Sequence, residues 1–381
     1  MPHHNTVFRD ILKLMPWRQF EALVEEHDAD SRVRRLPTKL QFMALLYGQL
    51  SGASGLREIV TGLSSHQARL YHLGAAPVRR STFSDANANR PSSVFADLLA
   101  LMMKQAHRGL RRKMAEAVYL IDSTSVRLNG HSADWAQFSA GVCGAKVHVI
   151  YDADADRPIY AAVTAANVND ITAAHQMPID PGATYVFDLG YYDYLWWAAL
   201  DAAGCRIVTR FKSNTPLDVV DEFEVAAGSN ILSDRIGFLP ARQAKSRCNP
   251  MQDAVREVRV MTDTGKVLRI LSNDLDASAE DIAGLYRRRW AIELFFRWVK
   301  QTLKITRFVG TSENAVRIQI AVALIAFLLL SLAQATQKAV RSPLIFARLV
   351  RANLMHRRSI QNLLEPKSIP QDQSQLSLSL C

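Results

Sequence analysis

The fold class predicted by this sequence is α/β: a strand meander that leads into alternating helix and strand, preceded by an all-helical segment and interrupted by a β-rich block. Three observations predict it. Apolar residues recur at helical spacing through residues 1–115, β-rich runs take over after Arg111-Arg112-Lys113, and a hairpin signal precedes a renewed helical pattern from Ser278.

In residues 1–115 the helical spacing is carried by Phe8-Ile11-Leu12-Leu14-Met15, Phe20-Leu23-Val24 and Leu40-Phe42-Met43-Leu45-Leu46. Breaks fall at Pro37, Gly52-Ala53-Ser54-Gly55 and Gly74-Ala75-Ala76-Pro77, where Pro removes a donor and Gly opens turn conformations. Gly55–Thr61, Ser64–Tyr71 and Ser81–Ala88 read as three short helices with Arg32, Arg34, Arg35, Arg57, Arg69, Arg79 and Arg80 around them. Such a cluster is either a helix-turn-helix-like DNA reader or a helical bundle with a solvated basic face.

Residues 116–210 open with the β-rich runs Ala117–Asp122, Lys146–Tyr151 and Pro158–Thr164. A helix from about Asn169 to Met177, a strand Thr184–Asp188, a helix Tyr192–Ala203 and a strand Cys205–Arg210 follow. A three-strand meander continued by alternating helix and strand is the order of a ribonuclease-H-like sheet. In residues 211–276, Val255–Thr262 and Val267–Ser272 flank Asp263-Thr264-Gly265-Lys266, a hairpin pattern. Residues 277–345 return to helix, one from Ser278 to about Lys304 and a second, strongly apolar, over 315–340. The apolar run Ile320–Leu330 is shorter than the ~20 residues that cross a bilayer, so a buried helix is expected. Residues 346–381 form a basic segment ending in the polar tail QDQSQLSLSLC.

Composition narrows the function. The chain of 381 residues carries 46 Lys+Arg against 36 Asp+Glu, a formal charge of +10, which favours an acidic partner such as nucleic acid. Cys143, Cys205, Cys248 and Cys381 are scattered, with no C-x-x-C pair, which argues against a zinc site or a disulfide framework. The N-terminal MPHHNTVFRD lacks the apolar core of a secretory signal, so a cytoplasmic location is expected.

Two carboxylates end hydrophobic runs, Asp122 before Ser123-Thr124-Ser125 and Asp188 in VFDLGYYDY. Open α/β sheets place ligands at the carboxyl ends of their strands, so two such acids on neighbouring strands suit a metal; either alone reads as a turn or cap residue. In Tyr286–Lys300, at about 100° per residue, Tyr286, Arg289, Glu293 and Lys300 fall within one arc of about 60°. Ala291, Leu294, Phe295 and Trp298 form an apolar side expected to pack on the sheet. An ordinary Glu–Arg pair one turn apart explains part of that stripe, but neither Tyr286 nor Lys300. Lys146 and His148 share a strand face, and they, Asp170 and His175 are read as structural; Asp193 is read as a helix cap.

The spacing Tyr-x2-Arg-x3-Glu-x6-Lys resembles the signature of the DDE transposases of bacterial insertion sequences, the IS-four-type group. Leu120-Ile121-Asp122-Ser123-Thr124 and Asp188-Leu189-Gly190-Tyr191-Tyr192-Asp193-Tyr194, followed by Val208-Thr209-Arg210-Phe211-Lys212, are similar to further blocks of that family. The resemblance covers about residues 118–307 in order. Leu189 departs from it, since relatives usually carry Arg after the second acid, which removes one basic DNA contact there. No Trp lies between Cys205 and Arg289, so the base-flipping tryptophan that some relatives place in this block is missing.

The resemblance implies Asp122, Asp188 and Glu293 as catalytic metal ligands, with Tyr286, Arg289 and Lys300 contacting DNA phosphates. Hard carboxylate oxygens suit Mg2+, two ions in all, with Mn2+ as a substitute. The implied partners are double-stranded DNA, as transposon ends and target, and a second copy of the chain in a homodimeric synaptic complex. Two alternatives stand beside a transposase that binds terminal inverted repeats, cleaves and joins. One is a ribonuclease-H-like nuclease without strand transfer; the other is a non-catalytic, domesticated DNA-binding repressor.

Overall fold

The computed structural model describes residues 6–111, 117–139, 141–242, 248–303, 308–337 and 339–361. Residues 1–5, the 112–116 junction and the polar tail at 371–381 lie outside these. The first helices are α1 (Val7–Leu12), α2 (Trp17–Glu26), α3 (Thr38–Ser51), α4 (Leu56–Ser65), α5 (Gln67–Leu70), α6 (Arg80–Asn89) and α7 (Ser92–Arg111). Gly52, at φ 76°, ends α3 in a left-handed conformation that a side chain would strain. The second of the three short helices shrinks to the four residues of α5, and a 3-10 turn, Tyr71–Leu73, continues it.

The strands are β1 (Val118–Leu128), β2 (Gln137–Ser139), β3 (Val142–Asp152), β4 (Arg157–Ala165), β5 (Thr184–Phe187), β6 (Arg206–Arg210), β7 (Asp218–Phe223), β8 (Ile231–Phe238), β9 (Val255–Met261) and β10 (Val267–Ser272). Interspersed are α8 (Ala133–Ala136), α9 (Asp170–Ala174) and α10 (Tyr194–Ala202). All ten strands form one sheet in the order β2-β3-β1-β5-β6-β10-β9-β8-β7, with β4 also on β3. β1, β3 and β4 pair antiparallel, whereas β5 runs parallel to β1 and β6 parallel to β5, the second step made through the α10 crossover. The β9–β10 hairpin turns at Gly265, φ 77°, and joins β6 through β10. The β-rich block thus continues the sheet, adding β7 and β8, whose sequences gave no hairpin signal.

The helix expected from Ser278 to Lys304 is two: α11 (Ala279–Arg288) and α12 (Trp290–Thr302), with residue 304 outside the described set. At the joint, Arg289 N–H donates to Tyr286 O at 3.1 Å and Ile292 N–H to Arg289 O at 3.2 Å. These are three-residue hydrogen bonds, a tightened turn rather than a straight continuation. Last come α13 (Glu313–Ala335) and α14 (Pro343–Asn353).

α13 is long and apolar enough to cross a membrane by length and composition, yet 83% of its apolar window is buried inside the protein. It packs against α1, α3, α6, α7, α12 and α14, so apolar residues on every side of it find partners. One sheet face carries this helix layer and α11; the other carries α9 and α10, around Tyr185, Phe187, Tyr194, Trp196 and Trp197. Alternation along β1 sends Leu120 to the α13 face and Ile121 to the α10 face.

Candidate active site

Asp122 was expected at the end of its strand, but β1 runs on to Leu128 because β3 pairs with it from Asp152 to Cys143. What does end is the partner on its other side. Parallel pairing with β5 stops at Leu120↔Val186, and β5 stops at Phe187. Two residues beyond that last pair stand Asp122 and Asp188, level with each other where β5 leaves β1. By alternation both belong to the face of Leu120 and Val186, the face on which α11 and α12 lie.

α12 brings Glu293 to the same place. Its buried arc is Ile292, Phe295, Phe296 and Val299, with Phe295 stacked 4.9 Å from the Tyr151 ring of β3. Leu294, assigned to the packed side by the sequence, is instead 45% exposed. The reason is geometric. The acid stripe has to meet Asp122 on the sheet, so the arc adjoining the stripe is buried and the arc beyond it, with Trp290 and Leu294, is left to solvent.

Arg289 links the pieces. Its guanidinium donates to Asp122 Oδ2 at 3.4 Å through Nη1 and to Glu293 Oε1 through Nη2. The same group lies 5.9 Å from the centre of the buried Tyr286 ring. Lys300, two turns beyond Glu293, has its ammonium pushed down by burial and held up by attraction to Asp122. Burial raises the Asp122 carboxyl from 3.8 to about 6, with repulsion from Asp188 and Glu293 adding to it, while the Ser123 N–H and Arg289 pull the other way. Asp188 accepts a hydrogen bond from the Gly190 N–H at 2.8 Å. Burial likewise raises the Tyr286 phenol, opposed by Arg289 and Arg210. All six residues singled out from the sequence therefore share one neighbourhood.

Beneath it, on the opposite sheet face, lies a cluster that sequence reasoning treated as structural. Asp170 accepts from Ser123 Oγ at 2.7 Å and from Lys146 Nζ at 3.2 Å, and His148 Nδ1 stands 3.7 Å away. A side chain at Gly190 would lie 3.0 Å from Asp188 Oδ1 and 3.2 Å from Asp170 Oδ2, so this glycine is where the two groups of acids approach. The period of two that put Lys146 and His148 on one face was the only signal for this cluster. Asp193 caps α10 by accepting from the Trp196 N–H at 3.0 Å.

The chemistry of the donor set fits a hard divalent cation. The repulsion that Asp188 and Glu293 exert on Asp122 is relieved by a cation among them, and oxygen donors without Cys or His suit Mg2+ or Mn2+. Among the described residues, though, no three His, Cys, Asp or Glu side chains stand together closely enough to share an ion. Between Asp122 and Glu293 lies the Arg289 guanidinium.

Residues 113–329, which include all six, match the family described as Transposase DDE domain, and residues 3–76 match a domain of unknown function, DUF4372. A putative transposase, y4zB, of Sinorhizobium fredii is 38% identical over 286 residues, covering 75% of this chain and 80% of that one. A probable transposase for insertion sequence element IS5377 of Geobacillus stearothermophilus is 29% identical over 276 residues, covering 71% and 72%. A solved piggyBac transposase synaptic complex with hairpin DNA aligns over 95% of this chain and 82% of its own, at 11% identity and a TM-score of 0.47. The chain belongs to the DDE transposase family. Within it, the relatives place this protein among the transposases of insertion sequences, enzymes that act on DNA.

Proposed function

We propose that this transposase binds the terminal inverted repeats of its own insertion sequence, cleaves there, and joins the ends to target DNA in a Mg2+-dependent reaction. The observation that carries the reading is the level pair Asp122 and Asp188 on one sheet face, with Glu293 tied to Asp122 through Arg289. The β4-β3-β1-β5-β6 half of the sheet supports a ribonuclease-H-like core, 116–210 and 277–345, interrupted by the β-rich insertion 211–276. Residues 1–115 would read the ends, and 346–361 would add basic contacts.

In this reading Asp122, Asp188 and Glu293 hold two divalent ions, which when bound supply charge stabilisation for in-line displacement at phosphorus. Everything else is the work of side chains. Arg289 forks onto non-bridging phosphate oxygens, Lys300 adds a point charge, and the Tyr286 hydroxyl donates to the backbone. Glu293 takes up the proton of the attacking water or 3′-hydroxyl at its carboxylate. No enzyme-bound covalent intermediate is needed, and one phosphodiester is exchanged for another. Two ends acting together require a homodimer on DNA. The protein works in the cytoplasm.

Purified Asp122→Asn and Glu293→Gln variants test this. Loss of Mg2+-dependent nicking with retained end binding supports it, and full nicking by either variant removes that residue from the mechanism.

A further inference from the structure

We propose that Arg289 closes the resting site, standing in for a divalent cation between Asp122 and Glu293, and that DNA opens it by giving the guanidinium a phosphate to grip. The inference rests on the assignment of the three acids above. It begins from the absence, among the described residues, of any three ligating side chains within reach of one ion. The acids nevertheless stand together, since Asp122 is level with Asp188 on one sheet face and is bridged to Glu293. What separates Asp122 from Glu293 is a single group, bonded to one through Nη1 and to the other through Nη2.

The position of that group is well determined by its surroundings. Arg289 sits at the tightened joint between α11 and α12, its side chain only 18% exposed and lying over Tyr286. Its charge offsets the carboxylates that gather there. A divalent ion entering the same space would meet a fixed positive charge at contact range and two carboxylates already engaged, so the ion and the guanidinium compete. A DNA phosphate offers Arg289 an equally good bidentate acceptor. Transfer of the guanidinium to that phosphate frees both carboxylates at once. DNA and metal then bind with positive coupling, and by linkage each tightens the other to the same degree. The consequence is an enzyme that loads its ions more tightly on DNA than off it.

The test is Mn2+ binding to the full-length protein, read by the loss of the free-ion electron paramagnetic resonance signal. Wild type, Arg289→Gln and Asp122→Asn are each titrated alone and with a duplex carrying the terminal sequence that flanks the coding region. Without DNA, Arg289→Gln is expected to bind Mn2+ about ten-fold or more tightly than wild type, as expected for removing a positive charge at that range. Wild type is expected to gain a similar factor from the duplex, while Arg289→Gln gains little. The wild-type comparison needs no variant to fold. Equal or weaker Mn2+ binding by Arg289→Gln, or no tightening of wild type by the duplex, overturns the proposal while Asp122→Asn still abolishes binding. If Asp122→Asn binds Mn2+ as wild type does, both the proposal and the assignment of the acids fall.

Discussion

Asp122 on β1 and Asp188 after β5 stand level because parallel pairing fixes Leu120 against Val186 and both acids follow by two residues. They face the same side of the sheet, and burial, with repulsion from Asp188 and Glu293 added to it, raises the Asp122 carboxyl to about 6. Most of what the site does follows from that relationship.

The first consequence is a conflict between function and stability. Asp122 has a folded-state value of about 6 against 3.8 ordinarily, so the folded protein holds the proton more tightly than the unfolded chain does. The resulting penalty is absent below about pH 4, grows as pH rises towards 6 and is complete above it. Asp122→Asn should therefore stabilise the metal-free protein above about pH 7 by up to ~3 kcal/mol, read as a higher melting temperature, and have little effect below about pH 4. Thermal melts at the two pH values, without divalent ions, check this. An equal shift at both would contradict it.

Protons and metal compete for the same oxygen. Divalent ion affinity should fall as pH drops through about 6, the range in which Asp122 takes up its proton. Calorimetric titration with Mn2+ across that range measures the slope. An affinity flat through it would place the ion elsewhere.

Arg90 is buried, and it donates to Asp30 Oδ1 at 2.8 Å, Thr38 Oγ1 at 2.6 Å and Leu36 O at 2.9 Å. These bonds hold the loop that carries Arg32, Arg34 and Arg35. Arg90→Met should destabilise the protein by roughly 2–4 kcal/mol, because it strips Asp30 of its cation, leaving only the Thr38 N–H and hydroxyl as donors to it, and leaves the Leu36 carbonyl without the guanidinium. Urea denaturation reads the loss. The triple change of Arg32, Arg34 and Arg35 to Gln should leave stability within about 0.5 kcal/mol, since all three are exposed.

In the helix layer, Leu329→Ala on α13 removes a fully buried side chain with partners on every side. A loss of about 3 kcal/mol is expected. Leu294→Ala on α12, at a 45% exposed position, should cost well under 1 kcal/mol. Comparable losses at both would contradict the orientation of α12.

How much of this was legible beforehand follows from the range of the interactions involved. The β9–β10 hairpin and the strand meander were readable because Asp263-Thr264-Gly265-Lys266 and the β-branched runs are local signals. The acid stripe was readable because a helix repeats on itself, and the tightened turn at Arg289 shifts it little. The packed side of α12 was readable in part: Phe295, Ala291 and Trp298 pack on the core as expected, whereas Leu294 does not, because Ile292, Phe296 and Val299 are as apolar as Leu294 and only the sheet decides between the two edges. β7 escaped notice for a related reason: it is an edge strand exposed along its length, so it carries no burial pattern. The Asp170 cluster depends on Ser123, Lys146 and Asp170 meeting across three elements, which no spacing along the chain records.

Ligation itself is tested most directly by exchanging the donor at Asp188. With Asp188→Cys, a thiolate replaces a hard oxygen, and thiolates bind Mg2+ poorly but accept softer ions such as Mn2+. Strand transfer measured in each metal should be lost in Mg2+ and partly recovered in Mn2+. Activity in Mg2+ equal to that of wild type, or an equal loss in both metals, would contradict a metal-ligating role for Asp188.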